Sequence, residues 1–124
     1  MKQNRPVNLD LRTVRFPITA IVSILHRISG FILFLLIPLL LWMLQMSLTS
    51  PWTYTQLRDF LAYPLMKIIV LGLLASLIYH LVAGVRHLFM DAHIGDSKEG
   101  GRRGAKGVMF ISIVLILLIG VWLW

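Results

Sequence analysis

Two segments of this 124-residue chain place polar and ionisable side chains inside otherwise apolar sequence. The first reads SILHRISG, at residues 23–30, and the second reads HLVAGVRHLFMD, at residues 80–91. If these segments cross a bilayer, a charge near its centre costs about 2.5–3.5 kcal/mol on insertion scales. Each ionisable group in them is therefore a candidate functional residue that needs a partner.

The first segment predicts a polar face near the start of a helix. Ser23, Arg27 and Gly30 are spaced i, i+4, i+7 and share that face, with His26 beside it. A hydroxyl and a guanidinium are both hydrogen-bond donors. The alternative is that Arg27 extends to the lipid headgroups and His26 caps or packs the helix.

The second segment predicts a stripe along one helix. His80, Gly84, His87 and Asp91 are spaced i, i+4, i+7, i+11, whereas Arg86 points elsewhere. The imidazole at position 80 lies roughly 16 Å from the end of the helix, at 1.5 Å per residue. That distance places it near the middle of a membrane. The alternative is a histidine that only hydrogen-bonds to a neighbouring helix.

A deeply buried neutral imidazole is a standard axial ligand of haem iron. His80 is the candidate ligand, and Gly84 would allow a flat macrocycle to approach the backbone. His26, Arg27 and His87 could hold the anionic propionates. No other histidine is expected at that depth, so a bis-histidine haem would take its second ligand from another protein.

The elements that position these residues are three predicted transmembrane helices, at about 21–46, 64–90 and 107–124. Hydrophobic residues make up 58% of the chain and charged residues only 14%, against roughly a quarter charged in soluble domains. The sequence therefore predicts an all-α integral membrane protein that forms a single domain over 1–124. Three helices close a bundle poorly, so a second helical membrane subunit is expected to complete it. The absence of cysteine excludes thiolate metal sites and cysteine nucleophiles.

The distribution of lysine and arginine predicts the orientation. Basic residues are frequent in the arm at 1–20 and the loop at 91–106, and rare in the loop at 47–63. The positive-inside rule places the first two segments and the N-terminus in the cytoplasm, and the third segment and the C-terminus outside. Because the basic residues flank apolar runs, nucleic acid is not expected as a partner. A short helix over 52–62 is expected on the outer surface, and the first span is expected to be retained rather than cleaved.

The sequences RPVNLDL at 5–11, RFPITAIVSILHRISG at 15–30 and HLVAGVRHLFMD at 80–91 resemble the cytochrome b membrane anchors of succinate dehydrogenase. The resemblance covers nearly the whole chain. It implies a haem b held by His80 and by a histidine of a second anchor subunit. It also implies a flavoprotein and an iron–sulfur subunit as partners, ubiquinone as substrate, and a bacterial inner membrane as the location.

The resemblance also assigns site residues. Ser23 and Arg27 match quinone-binding positions, and His26, Arg27 and His87 match positions near the haem. Asp91 matches an acidic position that could supply protons. Three alternatives stay open: the anchor of a fumarate reductase, a small transporter subunit with histidines as a proton relay, and a structural anchor without a cofactor. A proton relay usually needs acidic residues in the spans, and only Asp91 comes close.

Overall fold

The computed structural model describes residues 7, 9–10 and 12–124. Most of the 5–11 motif and much of the N-terminal arm lie outside these residues. Within the described part the secondary structure is entirely helical, in the order α1 (Ile18–Thr49), α2 (Pro51–Leu61), α3 (Pro64–Asp91) and α4 (Lys98–Leu123). The all-α prediction is confirmed.

Three of the helices, α1, α3 and α4, are long and apolar enough to cross a membrane. They contain 32, 28 and 26 residues. At about 1.5 Å per residue each is longer than the roughly 30 Å of a bilayer's hydrocarbon core. The three expected apolar helices are therefore all present.

The helix α2 lies where a short helix over 52–62 is expected. The extended backbone of Ser50, with φ −162° and ψ 160°, ends α1 and separates it from α2. The Ser50 hydroxyl accepts a hydrogen bond from the Thr53 backbone N–H at 3.1 Å, and the Thr53 hydroxyl accepts one from the Ser50 N–H at 3.1 Å. This reciprocal capping box satisfies two backbone donors that the helix start would leave unpaired.

The boundaries of two expected segments need correction. The predicted loop at 91–106 is mostly helix, because α4 begins at Lys98 and only residues 92–97 connect it to α3. The Ser97 side chain caps α4 by accepting from the Gly100 N–H at 3.0 Å. Gly101 and Ala105 are buried, so a glycine-rich, charged sequence typical of a loop is held as helix by packing. The helix α1 also extends three residues beyond 21–46 at each end.

The helices pack through small side chains. The buried apolar core consists of Val22 on α1, Ala83 on α3, and Ala105 and Val108 on α4. Small residues let helix backbones approach closely, which is how membrane helices associate without a hydrophobic driving force between them. A hydrogen bond of 2.7 Å from the Tyr79 hydroxyl to the Val22 carbonyl joins α3 to α1 beside this core.

Candidate functional site

Helices α1 and α3 bring three histidines together. The rings of His26 and His80 are stacked, with centroids 4.2 Å apart and an interplanar angle of 7°. The rings of His26 and His87 lie 5.0 Å apart at 49°. Histidines from the two predicted polar segments therefore form one cluster at the α1–α3 interface.

The Nδ1 atom of His80 is held by α1. It lies 3.1 Å from the Ser29 hydroxyl and 3.2 Å from the His26 carbonyl oxygen. The Ser29 hydroxyl donates to that same carbonyl at 2.8 Å. A carbonyl can only accept, so one assignment satisfies all three contacts: Nδ1 carries the proton and donates it to both oxygens.

This tautomer leaves the His80 Nε2 atom with a free lone pair, and no described residue makes a hydrogen bond to it. Metal-binding histidines have this arrangement, with one ring nitrogen donating to a protein oxygen and the other facing the metal. The described residues contain no group of three or more histidines or acidic residues placed to hold a metal ion. The donor set fits an axial ligand of haem better than an enclosed metal ion.

The stacking of the His26 and His80 rings limits how these two histidines could bind a haem iron. Two axial imidazoles of one haem point their nitrogens at each other from opposite sides of the macrocycle. Stacked rings 4.2 Å apart leave no room for a macrocycle between them. His26 and His80 therefore cannot bind one haem iron from opposite sides in this arrangement.

His26 carries a different signal, because its Nε2 atom is buried and has no hydrogen-bond partner in the described structure. A buried polar nitrogen without a partner is costly, and a bound group that supplies a hydrogen-bond partner removes that cost. An anionic oxygen, such as a haem propionate, would satisfy it. The residues present therefore fit a haem beside this cluster.

Two glycines lie near the histidine rings, and the ring packing requires only one of them. A Cβ atom on Gly30 would lie 2.9 Å from the Cε1 atom of His80, and one on Gly84 would lie 3.5 Å from the Nε2 atom of His26. The space beside Gly84 faces the His26 ring at an ordinary contact distance, and the expectation that Gly84 lets a macrocycle approach stays a prediction. Gly30, in contrast, is required by the position of His80.

The remaining predicted site residues lie outside the cluster. Ser23 is half-buried and Arg27, one turn later, is exposed. Arg27 makes no hydrogen bond or ion pair with any described residue. Asp91 is the last residue of α3 and is exposed. Ser23 and Arg27 are brought together by helical spacing alone, and among the described residues neither Arg27 nor Asp91 makes a hydrogen bond or ion pair with the three histidines.

Two residues that sequence reasoning did not assign to a site carry contacts of interest. The Ser29 hydroxyl is hydrogen-bonded to His80. Its position three residues after His26, and so on the same helix face, is the sequence feature that could have indicated this role. Arg86 is buried against α4 and donates from Nη2 to the Gly101 carbonyl at 3.2 Å. The expectation that Arg86 points away from the histidine stripe is confirmed.

Comparison with known proteins yields consistent matches. Residues 1–119 match the family model described as succinate dehydrogenase/fumarate reductase transmembrane subunit. The succinate dehydrogenase cytochrome b556 subunit of Coxiella burnetii is 42% identical over 125 residues, covering 100% of both chains. The protein of the same name from Paracoccus denitrificans is 37% identical over 93% of this chain and 88% of its own. The succinate dehydrogenase cytochrome b560 subunit of Reclinomonas americana is 31% identical over 99% and 88%.

Proposed function

Because this chain belongs to the succinate dehydrogenase/fumarate reductase transmembrane subunit family, we propose that it binds haem b and helps form the quinone-reduction site of a succinate dehydrogenase. The observation that carries the proposal is the state of His80. Its Nδ1 atom is held by Ser29 and the His26 carbonyl, while its Nε2 atom has no protein partner among the described residues. The names of the relatives, cytochrome b556 and b560, support a b-type haem.

In this proposal each residue of the cluster has one task. His80 would hold the haem iron through Nε2. His26 and His87, with Arg27 extending from the next position on α1, hold the propionates by hydrogen bonds and charge. When bound, the haem would supply a centre that accepts and releases one electron. The second axial histidine comes from a second anchor subunit, since the stacking of His26 on His80 removes the nearest internal candidate.

Ser23 and Arg27 form the protein side of the quinone site in this chain. The hydroxyl and the guanidinium donate hydrogen bonds to a ubiquinone carbonyl, and the positive charge of Arg27 stabilises negative charge that develops on that oxygen. Quinone reduction consumes two protons, and Asp91, exposed at the end of α3, is the proposed route for their supply. The start of α1, with Ser23 and Arg27, and the end of α3, with Asp91, both lie on the side that the basic residues predict to be cytoplasmic.

The partners follow from the complex to which the relatives belong. A flavoprotein subunit oxidises succinate, an iron–sulfur subunit carries the electrons, and this chain with the second anchor holds both on a bacterial inner membrane. Fumarate reductase remains the second candidate, because the family description includes both enzymes. The relatives named above are all succinate dehydrogenase subunits, which favours succinate oxidation. Family membership also weighs against the transporter alternative.

The haem assignment is tested with His80→Ala in the complete complex. The variant is expected to lose or strongly alter the b-type absorption spectrum, because the iron loses its ligand. The matched control is His93→Asn, which changes an exposed histidine in the 92–97 turn. Asparagine tolerates the φ of 60° at that position. An unchanged spectrum in His80→Ala would refute the assignment.

The quinone assignment is tested with Arg27→Gln. Ubiquinone reduction by succinate is expected to fall at least about tenfold, since one donor hydrogen bond to a developing oxyanion is worth that much or more. Succinate oxidation with an artificial dye should stay within twofold. The control is Arg58→Gln, an exposed arginine on α2 that pairs with Asp59. Equal loss of both activities in Arg27→Gln would count against a quinone role.

A further inference from the structure

Arg86 carries a buried positive charge that the protein does not neutralise. The residue is 9% exposed, and its one hydrogen bond, to the Gly101 carbonyl, is 3.2 Å long. Its Nε atom is buried without a partner, and no described carboxylate forms an ion pair with it. A guanidinium is always charged and has five N–H donors. A buried charge left in this state is costly, so an anion is the missing partner.

A cavity of about 580 Å³ lies beside this arginine, between α3 and α4. Arg86 lies on its wall, and the turn at 92–97 closes one end through Ile94 and Gly95. Toward the middle of the membrane the groove continues along apolar side chains and two glycines. These are Val82, Val85, Val108, Ile111, Gly104 and Gly107.

The charge pattern around the groove favours an anionic headgroup at the end near the turn. Arg86 lies five residues before the end of α3, about 7–8 Å along the axis. Arg103, which is exposed, shares a helix face with Gly100 and Gly107 and therefore flanks the groove. Lys98 and Lys106 are also exposed on the first turns of α4, whereas Arg102 lies on the opposite side of this helix from Gly104. Basic pockets between membrane helices at this level bind anionic lipid headgroups.

We propose that the α3–α4 groove binds one anionic phospholipid. The phosphodiester accepts hydrogen bonds from the Arg86 guanidinium, which can engage two phosphate oxygens at once. Arg103 adds charge at the rim, and an acyl chain fills the apolar part of the groove past Val108 and Ile111. The site lies on the α4 side of α3, whereas His80 contacts α1, so the inference does not depend on the haem assignment.

The charge contribution is measured on the purified, delipidated complex by native mass spectrometry. The complex is titrated with phosphatidylglycerol or phosphatidylcholine. We expect one phosphatidylglycerol to bind in preference to phosphatidylcholine, and Arg86→Gln to weaken that binding at least about fivefold. Arg102→Gln, on the opposite side of α4 from Gly104, should stay within twofold. Absence of a lipid preference in the unaltered complex, or equal affinity in Arg86→Gln, would overturn the proposal.

A second variant keeps the charge and removes the space. Gly107 lines the groove and a Cβ atom on it meets nothing within 4 Å, so Gly107→Leu directs a side chain into the groove from an open position. The Gly107→Leu variant should exclude the lipid while the complex still assembles. It therefore tests the site even if the Arg86→Gln complex fails to assemble. The control, Gly72→Leu, alters a glycine of α3 with equally open surroundings in a different cavity. Lipid binding that survives Gly107→Leu with unchanged affinity would place the lipid outside this groove and refute the proposed site.

Discussion

At the residue scale, the ring of His80 is fixed in orientation and in protonation at one nitrogen. The Ser29 hydroxyl and the His26 carbonyl both accept from Nδ1, while the stacked His26 ring covers one face. Oxygens that accept from the far nitrogen raise the basicity of a ligating imidazole and fix its tautomer. In the proposed haem site, Ser29 is therefore a positioning residue that acts through His80.

Ser29→Ala should remove one of the two hydrogen bonds that orient the His80 ring, without removing His80 as the proposed ligand. The Nδ1 proton keeps only the carbonyl contact at 3.2 Å, so a less basic imidazole stabilises ferric iron less. We expect haem affinity to fall about tenfold and the midpoint potential to rise by up to about 59 mV, a tenfold change in a one-electron equilibrium. Redox titration of the b-type spectrum and the ratio of haem to protein measure these effects.

The matched control for Ser29→Ala is Ser112→Ala. Ser112 is also a buried serine, but it lies on α4 and its hydroxyl has no partner, so its removal should leave the haem unchanged. The same potential and haem content in Ser29→Ala as in the unaltered complex would show that the hydroxyl only packs against the ring.

At the element scale, the approach of α1 to α3 depends on the absence of a side chain at one position. A Cβ atom on Gly30 would lie 2.9 Å from His80, closer than van der Waals contact allows. The histidine ring is stacked on His26 and bonded to Ser29, so it has little freedom to move away. Gly30 is therefore the residue that sets the spacing of these helices at the level of the histidines.

Gly30→Ala should destabilise the complex by about 1–3 kcal/mol, the usual cost of overpacking a filled interface, and should perturb the b-type spectrum. Gly72→Ala is the control, because a Cβ atom there meets nothing within 4 Å and alanine favours helix by up to about 1 kcal/mol. Thermal unfolding of the purified complex compares the two. A melting temperature that is unchanged or higher in Gly30→Ala would show that α1 and α3 can move apart at little cost, and would contradict the proposed role of Gly30.

At the scale of the whole molecule, charge and aromatic groups separate toward opposite ends of the helices. Four basic residues lie on the first turns of α4, which follows the end of α3 after the short connection at 92–97. At the other end, the Lys67 ammonium lies 5.5 Å from the ring of Trp124, so the start of α3 and the end of α4 share one level. This polarity is the basis for the predicted orientation.

The orientation can be measured directly, because the chain has no cysteine of its own. An Asp59→Cys variant in α2 and an Asp96→Cys variant in the 92–97 turn each carry a single thiol at an exposed position. In intact spheroplasts a membrane-impermeant maleimide should label the first variant, and should label the second only after the membrane is permeabilised. The reverse pattern would invert the predicted topology.

The sequence alone determined the helical class, the three apolar helices and the polar residues that interrupt them. Hydrophobic length and charge are local properties, since a run of about 20 apolar residues can satisfy its backbone in a bilayer only as helix. The helical spacing also predicted that Arg86 faces away from His80. The extent of α4 was not predictable in this way, because the glycines at 100–107 favour a loop until their packing against α3 and α1 is known.

Only the tertiary structure decided which residues meet across helices. The stacking of His26 on His80, the bond from Ser29 to His80, the contact of Gly30 with that ring and the burial of Arg86 all join residues that are distant in the chain or on neighbouring helices. Periodicity defines the faces of one helix, but it contains no information on the rotation and depth at which a second helix packs against them.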